Sequence, residues 1–258
     1  MATAYGLDLA GYYGGKTALA KATNTGDVIS VTVYGKHAFN TKREGWNELD
    51  KFIGEERKLI DQLKPLYVDV PLDLQELPRP TNPQHVWQLT KRPVDYAFDG
   101  LPPIADKLGA PVARMLNILE GSLDSLGETL FETYPRASLY PMLGYFAKYK
   151  SKRAEIVGGR WQGDDLADVL NSLNVEADEG VQVNDDEFDA AICAITGVLG
   201  SEMTLSGDSL DAKIRERVFK KCSNCGVSAE VLKGPQGYVL IGTKLEGIRV
   251  EIELQSRF

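Results

Sequence analysis

The feature that most constrains the fold is an acidic residue inside an apolar, strand-like segment near the start of the chain. Within residues 3–10, the bulky side chains of Tyr5, Leu7 and Leu9 alternate with small residues and with Asp8. A period of two predicts a β-strand with one bulky face and one small-residue face. A buried carboxylate without a partner costs several kcal/mol. Asp8 therefore requires a cation or hydrogen-bond donors beside it.

The segments after this strand predict the order β-β-β-α-β. Two β-prone runs, 16–22 and 28–36, are separated by a turn, and a helix is predicted from Thr41 as its N-cap to about Lys64. Residues 66–71 form a short, nearly all-apolar run of the kind that is buried between parallel neighbours. Because a strand reached through a helical crossover lies parallel to an earlier strand, we expect a mixed sheet.

The second half of the chain predicts an insertion and further core elements. Residues 72–128 are Pro-rich at first and helical near 104–126, which indicates an insertion or lid over one end of the sheet. Residues 129–134 predict a fifth strand that carries Glu132. Beyond it we expect helices between 137 and 173, an acidic linker over 174–183 and a late helix over 184–199, whose small residues permit close packing on a sheet.

The last part of the chain is predicted as an appendage. Residues 1–200 form the expected α/β domain, a mixed five-stranded sheet flanked by helices. Residues 201–258 form a small α+β appendage, with a helix near 208–221 and a β-hairpin from 238–241 to 248–254. We thus expect one domain plus an appendage.

Cysteine use and the absence of apolar runs favour a cytoplasmic protein. The three cysteines do not make a disulfide framework. Cys222 and Cys225 have the spacing of a zinc knuckle, but zinc normally takes four ligands and no second pair is present. A zinc shared across a homodimer and an ordinary turn with reduced thiols both stay open. No basic leader or long apolar run is seen, so we expect a soluble protein without a membrane partner.

The net charge of −8 argues against broad affinity for duplex DNA, because phosphate binding draws on clustered Lys and Arg. A nucleic-acid partner would need a local basic patch. The runs at 148–153 and 213–221 are candidates, although either could be a solvated helix face.

Acids on separate predicted elements form a candidate metal site. Asp8 and Asp69 lie within or near the end of apolar strands, and Asp186 and Asp189 share one face of the late helix. Carboxylates on rigid elements are the ligands that Mg²⁺ and Mn²⁺ prefer. Two such cations can activate water and stabilise the leaving oxygen of a phosphodiester.

Each acid also has a simpler explanation. Asp69 could bond a turn, and Asp186 could be a first-turn acid favoured by the helix dipole, since residues 184–187 resemble a capping box. Glu132 could pair with Arg92 of the insertion instead of binding metal. The conjunction of acids on the first strand, the fourth strand and the late helix favours the metal site.

The motifs around these acids resemble a known family. They read Tyr-Gly-Leu-Asp8-Leu-Ala-Gly, Val-Asp69-Val-Pro-Leu, Phe-Glu132-Thr-Tyr-Pro and Asp-Asp186-Glu-Phe-Asp189-Ala-Ala-Ile-Cys-Ala. In this order, over roughly residues 3–200, they resemble the predicted-nuclease family called domain of unknown function 429. The resemblance implies an RNase H-like fold similar to that of the Holliday-junction resolvases, which also use a first-strand Asp, a fourth-strand acid and a late-helix Asp-x-x-Asp. The fourth-strand acid is Asp here, whereas the resolvases use Glu.

The resemblance implies a metal-dependent nuclease that hydrolyses phosphodiester bonds of DNA or RNA with Mg²⁺ or Mn²⁺. We expect it to use a two-metal carboxylate mechanism. Asp8, Asp69, Asp186 and Asp189 would be its metal ligands, and Glu132 would be a further catalytic acid. The basic residues expected to contact substrate phosphates are Arg79, Lys91, Arg92, Arg114, Lys148, Lys150 and Lys152.

Two other functions stay open. The Gly-Leu-Asp start with the Gly-rich turn at 11–15 also suits the phosphate loop of an actin-like ATPase or sugar kinase, although such phosphotransferases generally use two copies of the domain. The second open function is a non-catalytic module with the same fold that binds nucleic acid or protein and uses residues 201–258 for assembly.

Overall fold

A computed structural model describes residues 1–12, 16–40, 49–72, 95, 106–122, 124–150, 152–199, 216, 220, 239–240, 245 and 247–258. The strands are β1 (Ala2–Asp8), β2 (Ala18–Asn24), β3 (Val28–Tyr34), β4 (Leu66–Val68), β5 (Leu130–Thr133), β6 (Arg153–Val157), β7 (Arg160–Gly163), β8 (Val175–Ala177), β9 (Gln182–Asn184), β10 (Val239–Leu240) and β11 (Arg249–Gln255). The helices are α1 (Leu49–Gln62), α2 (Asp106–Ile118), α3 (Pro135–Leu143), α4 (Asp165–Ser172) and α5 (Asp185–Val198).

The main sheet is mixed and has the order β10-β5-β4-β1-β2-β3-β11-β8. The strands β1, β2 and β3 form an antiparallel meander, and β4 lies parallel to β1 after the crossover through α1. The strand β5 continues the sheet parallel to β4. The predicted α/β class and the predicted mixed sheet are therefore confirmed, and the five predicted strands are neighbours in this sheet.

Helices cover both faces of this sheet. On one face α5 packs against β1, β2, β3 and β4, with Ala4 of β1 in the shared core. On the other face Leu7 of β1 joins a second core with residues of α1 and α2. Since successive side chains of a strand point to opposite faces, Gly6 and Asp8 share the α5 side with Ala4. The predicted small-residue face of β1 is thus the face that receives α5.

The helix α5 begins where its sequence predicts. The side chain of Asn184 accepts a hydrogen bond from the Glu187 amide at 3.0 Å, and Glu187 accepts one from the Asn184 amide at 2.9 Å. This is the capping box expected from the sequence, and it satisfies two amides that have no partner within the helix.

The region 137–184 differs from the prediction. It contains α3 and α4, but also a hairpin of β6 and β7 and two short strands in place of the expected linker. Gly158 and Gly159 make the hairpin turn with φ of 61° and 73°, values that favour glycine. The strand β6 lies between β7 and β9 in a small second sheet, whereas β8 joins the main sheet beside β11. The helices α3 and α4 fall in the region where helices were predicted, but the hairpin between them was not predicted, although its two adjacent glycines are typical of a hairpin turn.

The C-terminal strand also differs from the prediction. Instead of forming a hairpin in an appendage, β11 pairs with β3 in parallel and buries Val250 and Ile252. The two-residue strand β10 pairs with β5, on the opposite side of β1. Sequence alternation identifies the buried face of a strand but not its partner, and the edge of β3 was free for pairing. The predicted helix at 208–221 lies outside the described residues, apart from residues 216 and 220.

The helical part of the predicted insertion belongs to the core. Val112, Met115 and Ile118 of α2 are buried against Leu7 and Leu66, so α2 is a core helix and not a lid. Residues 73–94 and 96–105, the Pro-rich part of that prediction, lie outside the described residues. None of the helices in the described ranges combines the length and apolar character of a membrane span.

Gly6 is the point at which β1 and α5 approach most closely. A Cβ on Gly6 would lie 2.0 Å from the carbonyl oxygen of Ala190 and 2.4 Å from the amide nitrogen of Ala194. A Cβ on Gly197, one turn further along α5, would lie 2.4 Å from the ring of Tyr67. The small residues that the sequence places on this helix therefore do permit direct contact with the sheet.

We expect Gly6→Ala to destabilise the fold by about 1–3 kcal/mol or more, because the added methyl group overlaps the backbone of α5. Gly54→Ala is the matched control, since a Cβ there meets nothing within 4 Å in the middle of α1. It should stabilise the protein by about 0.5–1 kcal/mol. Urea unfolding of both variants checks this, and equal effects of the two substitutions would contradict the proposed contact.

Candidate metal centre

Two neighbouring parallel strands place Asp8 and Asp69 side by side. Asp8 is the last residue of β1, and Asp69 follows β4 directly. The strands are in register at Leu7 and Val68, and the amide of Asp69 donates to the carbonyl of Leu7 at 2.9 Å. The carboxyl ends of parallel strands are where open α/β sheets form their binding crevices. Both residues are half-buried at this edge.

The helix α5 adds a third carboxyl group. Asp189 precedes Ala190, the residue whose carbonyl meets Gly6, and its side chain is 0% exposed. Among the described residues, Asp8, Asp69 and Asp189 form a group in which each offers one oxygen and all three oxygens lie within 4.8 Å of one another. Oxygens at this spacing can converge on one cation, and carboxylates are the donors that Mg²⁺ and Mn²⁺ prefer. The three residues therefore fit a divalent metal ion.

Two adjacent residues bond to the buried Asp189 carboxylate. The hydroxyl of Tyr149 donates to Oδ1 at 2.6 Å, and the Nζ of Lys150 forms an ion pair with Oδ2. We expected Lys150 to contact phosphates, and the sequence did not lead us to Tyr149. In the sequence, the apolar residues Ala147 and Tyr149 alternate with the charged residues Lys148 and Lys150. This alternation could have indicated that Tyr149 points into the core, where it is found.

Burial and like charge raise the pKa of Asp8 well above its ordinary value of 3.8. Burial is the larger cause, the carboxylate of Asp69 adds to it, and the ammonium of Lys150 opposes both. Burial also raises the pKa of the neighbouring Tyr149 hydroxyl and Cys193 thiol, with Asp69 contributing to each. The region thus carries an excess of negative charge, which a bound cation would relieve.

Asp186 and Glu132 lie outside this group of three. Asp186, expected as a fourth ligand, is half-buried one turn before Asp189, near enough to raise the pKa of Asp8. Burial raises its own pKa, as does its neighbour Asp185. Glu132, expected as a catalytic acid, is 2% exposed, and its Oε2 accepts the amide of Leu72 at 2.8 Å. The predicted roles of Asp186 and Glu132 stay predictions.

Arg114, which we expected to contact substrate phosphates, is a structural residue. It is 1% exposed and forms an ion pair with Glu56, which is completely buried. The guanidinium also donates to the carbonyl of Ala10 at 2.7 Å, to the hydroxyl of Thr17 at 3.0 Å and to the carbonyl of Phe39 at 2.8 Å. Its donors are engaged within the core, so the prediction was wrong.

The other predicted phosphate contacts divide into two groups. Lys148 is exposed, and Lys152 lies 3.7 Å from Asp164 in a partly exposed ion pair. The predicted phosphate contacts Arg79, Lys91 and Arg92 lie outside the described part of the chain. So do Cys222 and Cys225, and the glycines at 14 and 15 of the turn that could suit a phosphate loop.

A cavity of about 430 Å³ opens beside Asp186. The loop before β2, the end of β3, the start of β6 and the N-terminus of α5 line it. Its basic residues are Lys16, Lys152 and Arg153, and its polar wall includes Asn40. Its size lies in the range of ligand-binding clefts. Three cations and the acids at the start of α5 thus share this cavity.

Comparisons with protein-family models, with curated proteins and with solved structures gave no match.

We expect the stability of the metal-free protein to fall as the pH rises from about 4. A carboxyl group with a raised pKa binds its proton more tightly in the folded chain, so it stabilises the fold at low pH and loses this effect as the pH passes through the raised value. Asp8→Asn should flatten the fall, whereas Asp27→Asn, in the exposed turn before β3, should not.

Urea unfolding in EDTA between about pH 4 and pH 8 measures this slope. The pKa values of Asp186 and Glu187 are also raised by burial. These two groups account for the dependence of stability on pH that remains in the Asp8→Asn variant. Parallel pH profiles for the wild type and Asp8→Asn would refute the repulsion that we assign to the cluster.

Proposed function

We propose that this protein is a metal-dependent nuclease with an RNase H-like fold, which hydrolyses phosphodiester bonds of DNA or RNA with Mg²⁺ or Mn²⁺. The observation that carries the proposal is the group of Asp8, Asp69 and Asp189, whose oxygens lie within 4.8 Å of one another. These acids come from a first strand, a fourth strand and a late helix, as the resemblance to the predicted nucleases and the resolvases implies.

The element order supports the fold assignment. The meander β1-β2-β3, the helix α1, the parallel strands β4 and β5 and the later helix α5 follow one another in the order that the resemblance implies. The strands β11 and β8 extend this core beyond β3. They lie on the side of the sheet away from β4. The strands next to β1 and β4, at whose ends Asp8 and Asp69 lie, are therefore unchanged by this extension.

The chemistry follows from the donor set. A divalent cation held by Asp8, Asp69 and Asp189 would lower the pKa of a bound water and stabilise charge on the phosphate. In the hydrolysis, the water oxygen bonds to phosphorus, the bond from phosphorus to the leaving oxygen breaks, and the leaving oxygen takes up a proton from solvent. We assign the acceptance of the water proton to Asp186, because it lines the cavity proposed to hold the nucleic acid and lies one turn before Asp189.

The cavity beside Asp186 provides the proposed path of the nucleic acid. Lys16, Lys152 and Arg153 line this cavity and would bind backbone phosphates there. The acids Asp185, Asp186 and Glu187 line the same cavity, so its three cations are matched by three acids. In a protein of net charge −8, any binding of nucleic acid would have to rely on such a local group of cations.

We expect the purified protein with Mn²⁺ to cleave at least one member of a panel of single-stranded and structured DNA and RNA. Asp8→Asn, Asp69→Asn and Asp189→Asn should each lower the rate by about 100-fold or more, because each removes one ligand of the ion that stabilises the transition state. Gel analysis of end-labelled substrates measures the rate.

Asp27→Asn serves as the control, since it removes an exposed acid from the turn between β2 and β3. Cleavage by the three cluster variants at the wild-type rate would eliminate the proposal. Thermal stabilisation by ATP with Mg²⁺, but not by Mg²⁺ alone, would instead favour the phosphotransferase.

We also expect Lys16→Gln with Lys152→Gln to weaken binding of a single-stranded oligonucleotide that is held in EDTA to prevent cleavage. The slope of log affinity against log salt concentration should fall in magnitude by about 0.7 for each phosphate that the variant no longer neutralises. Fluorescence anisotropy at several salt concentrations measures it. The double variant Lys51→Gln with Lys58→Gln, on exposed positions of α1, controls for net charge; an equal reduction in this control would show that the cavity is not the binding path.

A further inference from the structure

The ammonium of Lys150 contacts a buried member of the carboxylate group although the lysine side chain itself is largely exposed. The Lys150 side chain is 53% exposed, whereas the Asp189 carboxylate with which it pairs is 0% exposed. Its Nζ also lies 5.7 Å from the centre of the Tyr149 ring, a distance at which an ammonium is attracted to an aromatic face. Both contacts direct the lysine inward, so its charge is held at the edge of the cluster.

This charge acts on more than one acid. The Lys150 ammonium opposes the upward pKa shift of Asp8 and also that of Asp186, which lies outside the group of three. It therefore lies within electrostatic range of acids from both β1 and α5. A lysine that neutralises one surface acid would not reach the others in this way, so we regard Lys150 as a shared counter-ion.

The charge balance limits what else the cluster can bind. With three ionised carboxylates and one ammonium, a single divalent cation brings Asp8, Asp69, Asp189 and Lys150 to neutrality. A second divalent cation in the same group would leave two uncompensated positive charges in a partly buried site, which is unfavourable. A second ion would therefore have to draw its ligands from acids outside this group of three, such as Asp186.

The contacts of Asp189 leave acceptor sites on both of its oxygens. Tyr149 uses Oδ1 and Lys150 uses Oδ2. An ionised carboxylate has about two lone-pair sites on each oxygen. Each oxygen therefore keeps a site for an ion shared with Asp8 and Asp69.

We propose that Lys150 takes the place of a second metal ion: the centre binds one divalent cation through Asp8, Asp69 and Asp189, and the retained ammonium of Lys150 supplies the second positive charge facing the substrate phosphate. This proposal rests on the proposed nuclease function and specifies one metal ion where the sequence led us to expect two. In this arrangement the ammonium donates hydrogen bonds to a phosphate oxygen and keeps its proton, so it stabilises charge without taking part in proton transfer.

The test is calorimetric titration of the full chain with Mn²⁺ in the absence of nucleic acid. We expect the wild type to bind one ion per chain at this centre. Lys150→Met should bind Mn²⁺ at least about tenfold more tightly, because a positive charge next to the ion has been removed. Lys150→Arg keeps the charge and should retain the wild-type affinity to within about threefold.

Lys58→Met is the matched control. Lys58 is exposed on α1, which packs on the face of the sheet away from α5, and its replacement should leave Mn²⁺ affinity unchanged. In cleavage assays at saturating Mn²⁺, Lys150→Met should be slower than the wild type by about 10-fold or more although it binds the ion more tightly. A merely structural lysine would not give tighter binding together with slower cleavage.

The outcomes separate the two proposals. Two Mn²⁺ ions bound per wild-type chain, or no gain in affinity for Lys150→Met, would overturn the role of Lys150 while leaving the nuclease assignment intact. Absence of Mn²⁺ binding by the wild type would overturn both. The stoichiometry of the wild type decides the question even if a Lys150 variant fails to fold, which circular dichroism would reveal.

Discussion

The close contact between Gly6 and α5 is the constraint on which the rest of the structure depends. Because no side chain separates the two backbones, α5 rests directly on the central strand of the sheet. Asp8 lies two residues beyond Gly6 on the same face, and Asp189 lies next to the helix residue in contact. The packing that closes the core therefore also brings two carboxyl groups together. The parallel register of β1 and β4 adds Asp69.

This arrangement concentrates negative charge at a partly buried edge of the sheet. Apolar packing on both faces of the sheet stabilises the fold in spite of this charge. Two contacts reduce the free-energy cost of burying the Asp189 carboxylate: the hydrogen bond from the Tyr149 hydroxyl and the ion pair with the Lys150 ammonium. The raised pKa of Asp8 shows that compensation is incomplete. Local electrostatic conflict of this kind is expected where a binding site is built into a stable scaffold. A divalent cation bound by Asp8, Asp69 and Asp189 would reduce this repulsion.

Much of this framework could be predicted from local sequence signals. The alternation around Asp8, the capping box of α5 and the apolar run that becomes β4 each depend on a few adjacent residues, and all three are confirmed. Long-range pairing could not be predicted in the same way. The strand β11 joins β3 across more than 200 residues of chain, and Arg114 becomes a core residue only because distant groups accept its hydrogen bonds. Convergence of acids was predictable from topology, but the ammonium of Lys150 was not, because its position depends on folded side chains.

The central claim is that the three carboxylates share one cation, and a crystal soaked in Mn²⁺ tests it most directly through the anomalous signal of the ion. We predict a single peak about 2.0–2.3 Å from one oxygen each of Asp8, Asp69 and Asp189, with Lys150 still bonded to Asp189. A crystal with no peak between these residues, or with manganese held only by the acids at the start of α5, would contradict the account.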